Sequence, residues 1–200
     1  VLANARDGMR AEQVRQIVPD ILSSYTVNIA YHANNPGVGM SLVKDAGRYK
    51  LYTSDVGLFV TLAFKDKKYT ENVIYNKLLS DKLEANLGYV YESVVAQMLI
   101  AKGNNLFYYT MPSETSNHLY EIDFLTSTGD KICPIEVKSG KDYTIHSALN
   151  TFVQNEDYRV KKAFVVSNER NITQKGKIIY IPIYYIMFFK SEPDDKNLQF

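Results

Sequence analysis

The chain has 200 residues, 46% of them apolar and 22% charged, with a formal net charge of +1. That suits one globular domain with a sizeable core and excludes a disordered chain. It also excludes a protein that attracts nucleic acid by its overall charge, so any such site must be local.

The single cysteine, Cys133, excludes an internal disulfide and fits a reducing cytoplasm. The most apolar run, residues 178–189, is broken by Pro182 and falls short of the ~20 residues of a spanning helix. No membrane partner is therefore expected. The opening VLANARDGMR lacks the basic end and apolar stretch of a signal peptide, and the missing initiator methionine reads as a piece of a longer chain.

Residues 9–25 carry helical spacing (Ala11, Val14, Ile17, Val18, Ile21, Leu22), with Pro19 expected to kink or split the helix. A strand is expected over 26–32 and a loop over 34–39. Tyr49–Tyr52 reads as a short strand, followed by a turn into a helix capped by Ser54 or Asp55. Lys65–Lys68 reads as a solvated turn, and 71–83 as an amphipathic helix.

Residues 85–102 are the most regular helix, ended by Gly103. Glu92 lies on its apolar stripe: Val95, Ala96 and Leu99 fall within about 60° of it on a helical wheel. Gly88, one turn earlier on that face, leaves room for a close approach. Residues 106–110 read as a strand and 112–118 as a polar connection. The three histidines are scattered, which argues against a histidine zinc site.

Residues 119–138, LYEIDFLTSTGDKICPIEVK, read as a β-hairpin. By alternation Asp123 shares a face with Leu119, Glu121 and Leu125 on the first strand. Ile132, Pro134, Glu136 and Lys138 share a face on the second, away from Cys133, Ile135 and Val137. A two-residue loop at Thr128–Gly129 sets Asp123 opposite Pro134, and a four-residue loop sets it opposite Glu136. Either way two acids and a lysine converge. Burying them is costly unless they are paired or hold a hard cation.

Beyond the hairpin, residues 143–155 read as a helix capped by Thr144, with Ile145, Leu149, Phe152 and Val153 on its apolar face. Residues 163–167 read as a buried parallel strand. Residues 178–189 give one or two last strands. Arg159, Lys161, Lys162, Arg170, Lys175 and Lys177 make this part locally basic, suited to phosphate contacts if they share a surface and otherwise ordinary solvated charges. No phosphate-binding GxxxxGK[ST] loop, GxSxG or HExxH occurs.

Asp123 followed by Glu136-Val137-Lys138 resembles the PD-(D/E)XK nuclease superfamily. The ordered segments YKLYTSDVGL, GYVYESVVAQML, LFYYTM, EIDFL, PIEVKSGK and IYIPIYY resemble an uncharacterised nuclease-like domain at the C-terminus of bacterial and archaeal AAA-type ATPases. The resemblance spans roughly 49–189. It implies a restriction-endonuclease-like α/β fold, a mixed sheet flanked by helices, for a nuclease-like domain at 49–190; the residues outside it read as an N-terminal helical or linker region at 1–48 and a polar tail at 191–200.

The resemblance further implies a Mg²⁺ or Mn²⁺ site built from Asp123, Glu136, the Val137 carbonyl and Glu92. Lys138 would steady the attacking water or the transition state, the substrate would be nucleic acid, chiefly DNA, and an ATPase module would lie upstream. Two readings stand. One is a metal-dependent phosphodiesterase. The other is a catalytically silent module that binds nucleic acid or protein for its ATPase.

Overall fold

The structure is a computed structural model; it describes residues 11–37, 39–64, 73, 76, 87–113, 117–128, 131–140 and 142–189. The helix expected over 71–83 lies almost wholly outside the described residues, as do Lys65–Lys68 and the tail.

Helix α1, Ala11–Ser23, runs unbroken through Pro19. Strands β1 (Val27–Ala33) and β2 (Lys44–Thr53) follow. Strand β2 passes straight through the expected boundary at residue 48 and pairs with β1 along its length. The N-terminal region thus supplies strands to the main sheet.

Helix α2, Val56–Phe64, starts where Asp55 Oδ1 accepts the Leu58 amide at 2.9 Å, so Asp55 acts as a cap. Asp55→Ala is expected to lower stability by about 1 kcal/mol, read by denaturant unfolding.

Helix α3, Leu87–Ala101, ends at Gly103 with φ +81°. The Asn104 amide returns to the Leu99 carbonyl at 3.1 Å and its side chain to the same oxygen at 3.0 Å. Only glycine adopts that left-handed turn without strain. Strands β3 (Leu106–Pro112), β4 (Leu119–Thr128) and β5 (Lys131–Val137) complete the middle of the chain.

Helix α4 covers Ser147–Gln154, shorter than its sequence spacing suggests. His146, not Thr144, occupies the cap position, and Ile145 is exposed rather than packed. Strand β6, Ala163–Ser167, is parallel to both neighbours, as expected. Strand β7, Thr173–Lys175, is a short polar edge without apolar alternation, which left it invisible in the sequence. Strand β8 ends at Pro182. Residues 183–188 then form a 3₁₀ helix instead of a second strand, because proline cannot donate to a ladder.

The eight strands form one mixed sheet in the order β2-β1-β3-β4-β5-β6-β8-β7. Helix α3 covers one face, packing Val95, Ala96 and Leu99 on Tyr108, Phe124, Ile135 and Val137. Helix α4 covers the other, packing Leu149, Phe152 and Val153 among Phe107, Ile122, Leu125 and Val165. Both faces of the central strands are therefore dry, as their nearly continuous apolar runs require.

Candidate functional site

The hairpin register pairs Phe124 with Ile135 and Thr128 with Lys131. This is the second of the two expected registers, the one given for the longer loop; residues 129–130, between the strands, lie outside the described residues. Extended one step, that register would set Asp123 opposite Glu136. The ladder stops first.

Two features redirect Asp123. Phe107 pairs with Leu125 and Tyr109 with Ile122, so Asp123 and Phe124 together occupy the span that Tyr108 alone fills on β3. This is a β-bulge. It puts Ile122 and Leu125 in the same core. The simple alternation that set Asp123 on the face of Leu125 is thereby corrected: an extra residue lies between Ile122 and Leu125.

The second feature is a split between β4 and β5. The Val137 amide does not donate to β4 backbone; it donates to Asp123 Oδ2 at 2.7 Å. Beyond the split, β5 is held by β6 alone, with the Lys138 amide on the Val166 carbonyl at 2.8 Å. The Asp123 carboxyl thus substitutes for a strand partner at the mouth of the fork.

Glu136 is 6% exposed. Its Oε1 accepts Lys138 Nζ at 2.8 Å, whereas its Oε2 is buried without a hydrogen-bond partner. Such an orphaned oxygen is costly and marks a place for a missing donor or cation.

Glu92 is half-buried. Its Oε2 accepts the Tyr52 hydroxyl at 3.1 Å and lies 3.8 Å from Lys50 Nζ. Lys50 also forms an ion pair with Glu121 and sits 5.2 Å from the centre of the Tyr108 ring.

The charges act on one another. Burial pushes the Asp123 carboxyl well above its ordinary value, and the negative charges of Glu136 and Glu92 add to this. The Val137 amide and Lys50 pull the other way. Burial also raises Glu136 against the pull of Lys138, and raises Glu92 against that of Lys50 and Tyr52. The Tyr52 hydroxyl is held firmly protonated by its burial and by the acid beside it. Three carboxyls in one place resist ionising together.

Glu92, Asp123, Glu136 and Lys138 therefore form one electrostatic cluster. They do not form a finished cage: among the described residues, no three Asp, Glu, His or Cys side chains are grouped so as to hold a metal ion. Seating an ion there would require the carboxyls to draw closer together. Cys133 takes no part; it is buried, and burial pushes its thiol up to about 12. Among the described residues, no helix is long and apolar enough to cross a membrane.

A family model described as "Domain of unknown function (DUF4143)" matches residues 87–186. The chain belongs to this family. No curated protein matches the chain, nor does any solved structure.

The DUF4143 region holds Glu92, Asp123, Glu136 and Lys138, yet the cluster draws on residues outside it. Lys50 and Tyr52 come from β2, upstream of the DUF4143 match; Glu121, inside the match, comes from β4. Sequence reasoning did not select these three for the site. The available signal was the i, i+2 spacing of Lys50 and Tyr52 in a strand, which places an ammonium and a phenol on one face.

Proposed function

We propose that this chain is a restriction-endonuclease-like domain that binds Mg²⁺ or Mn²⁺ in the acid cluster and hydrolyses phosphodiester bonds of nucleic acid, DNA foremost. The reading rests chiefly on the buried, partnerless Oε2 of Glu136 beside a carboxyl lodged in a split sheet. A buried cluster of carboxyl oxygens with surplus negative charge suits a hard divalent ion.

Asp123, Glu136, the Val137 carbonyl and Glu92 would hold the ion. When bound, it would supply Lewis-acid stabilisation of charge on the scissile phosphate. The Val137 amide fixes Asp123, and Tyr52 fixes Glu92, so two of the donors are oriented beforehand. Lys138, released from Glu136, would place its ammonium where negative charge grows during attack on phosphorus. Lys161, Lys162, Lys175 and Lys177 are exposed near the start of β6 and would contact backbone phosphates, whereas Arg170 follows the other end of that strand. The family is often found at the C-terminus of AAA-type ATPases. That favours an upstream ATPase module as the partner and the cytoplasm as the location.

A second reading, a silent binding module for that ATPase, is favoured by the existing Glu136–Lys138 pair, which already neutralises one acid without a metal. Incubating the full chain with linear and circular DNA and Mg²⁺ or Mn²⁺ separates the two. Cleavage is expected, with Asp123→Asn and Glu136→Gln each lowering its rate at least ~100-fold. Absence of cleavage, or cleavage untouched by both changes, would leave the binding module.

A further inference from the structure

Strand β2 is not evenly paired with β1. Where β1 advances one residue, from Tyr31 to His32, the partner on β2 jumps from Tyr49 to Asp45. Residues 46–48 are surplus and bulge out of the ladder. Asp45 Oδ1 accepts the Gly47 amide at 2.8 Å and shapes that bulge. The bulge delivers the exposed Arg48 to β3, where Thr110 Oγ1 accepts its Nη2 at 2.9 Å.

Behind Thr110 stands His32, which is 3% exposed. Its ring meets Tyr108 edge-on at 5.2 Å and stacks on Tyr109 at 5.7 Å. Nε2 accepts the Thr110 amide at 3.3 Å and lies 3.0 Å from the Thr110 hydroxyl, while Nδ1 lies 3.3 Å from Asn34 Oδ1. Nε2 is thus the acceptor and Nδ1 carries the proton. Burial, and the charge of Arg48, favour this neutral ring. The hydroxyl can then give its proton to His32 and turn its lone pairs to Arg48. A guanidinium has five N–H donors, and the contact with Thr110 uses one. Among the described residues no acid lies within ion-pair distance of Arg48; Glu121, opposite Thr110 across the ladder, is taken by Lys50.

We propose that Arg48, aimed by Thr110 and His32, binds a backbone phosphate of the nucleic-acid strand whose scissile phosphate lies at the acid cluster. This rests on the nucleic-acid part of the reading given above and requires no metal. Arg48 stands two residues from Lys50 on β2, and Lys50 reaches Glu92 and Glu121. A strand passing over the acids therefore continues across Arg48. The planar guanidinium fits a phosphate through two parallel hydrogen bonds. With His32 neutral, the site offers one positive charge, which matches one phosphodiester. Holding a long surface side chain in one place opposes its rotamer entropy, and the bulge, the hydroxyl and the clamped ring together do so before the strand arrives. Arg48 makes the contact; Thr110 and His32 are positioning residues.

The test is binding of labelled single-stranded and duplex DNA to the full chain, followed by fluorescence anisotropy between about 50 and 200 mM salt. It is run in EDTA and again with Ca²⁺. Arg48→Ala should weaken binding about 10-fold at the lowest salt. It should also flatten the plot of log K against log salt by about 0.7–0.9, the share of one phosphate contact. The loss should be the same for two unrelated sequences, because a phosphate contact carries no base information.

Arg48→Gln retains a polar end that can still reach Thr110 but lacks the charge. It keeps the comparison sound should the alanine variant fold poorly, and the same flattening is expected. Thr110→Val keeps the charge and removes the anchor, so affinity should fall about 3-fold with the slope unchanged. DNA binding with an unaltered slope in both Arg48 variants overturns the role of Arg48 and leaves the nucleic-acid reading standing. Wild-type affinity in Thr110→Val overturns the aiming by Thr110 and His32. No DNA binding by the wild type at any salt, with or without Ca²⁺, overturns the nucleic-acid reading and this inference together.

Discussion

Asp123→Asn is expected to stabilise the metal-free protein at neutral pH. Asparagine retains the oxygen that accepts the Val137 amide, and its amide group can donate toward the neighbouring acids. What is lost is a charge that burial, Glu136 and Glu92 all disfavour.

The sign is fixed by linkage. Because the folded-state pKa of Asp123 lies above its ordinary 3.8, the folded state binds the proton more tightly. Its contribution to stability is present in acid and is lost as pH rises from about the unfolded value through the folded one. The variant escapes that loss. Its advantage should be absent in strong acid, grow upward from there, and level off once wild-type Asp123 ionises.

Each unit of pKa difference is worth about 1.4 kcal/mol, and each kcal/mol shifts the melting temperature of a domain this size by about 2–4 °C. Thermal unfolding against pH in the presence of a chelator measures the gain. Added Mn²⁺ should reverse the order, since an ion bound only by the folded wild type at 100 times its Kd adds about 2.7 kcal/mol. A variant that is more stable but no longer responds to Mn²⁺ would mark Asp123 as a residue kept for function at a cost in stability. A destabilised variant at neutral pH without metal would refute this account of the cluster.

Phe152→Ala should act in the opposite sense and leave the acids alone. Phe152 is fully buried, stacks on Tyr158 with centroids 4.5 Å apart, and meets Tyr109 edge-on at 5.8 Å. The two tyrosine hydroxyls are 3.1 Å apart, so three rings tie α4 and the turn after it to β3. Truncation removes the ring's burial and leaves a cavity in a rigid aromatic setting. A loss of about 3–5 kcal/mol is expected, measured by urea unfolding. The loss should be nearly independent of pH, because no titrating acid of the cluster touches Phe152. A cost below about 1 kcal/mol would show that α4 can collapse into the space.

The elements that were legible in the sequence are those whose pattern and punctuation agree. Helix α3 shows a clear stripe ended by Gly103, and the hairpin shows two apolar runs around a turn. Strand β6 is a short continuous apolar run. The four acid and lysine positions expected to meet do fall in one electrostatic neighbourhood.

The direction of Asp123 was not legible. The bulge at Asp123–Phe124 is set by the pairing with Tyr108 across β3, and no local signal in EIDFL announces an extra residue. Residues 183–188 left open whether one strand or two follow residue 178, because their apolar run fits a strand as well as a half-exposed turn of helix anchored by Ile186; only the tertiary setting after Pro182 decides. Lys50 and Tyr52 were overlooked although they lie inside the expected domain, because nothing in YKLYTS shows that its strand passes beside Glu92 of α3.

That last arrangement has a practical bearing on how the protein is cut. A fragment limited to 87–186 would discard β1 and β2, leaving the flank of β3 that they cover bare and ready to pair with a neighbouring molecule. It would also lose Lys50 and Tyr52, so Glu92 would swing without an anchor. Clumping or silence in such a fragment would speak of its missing border, and dissection of this chain should start ahead of Val27.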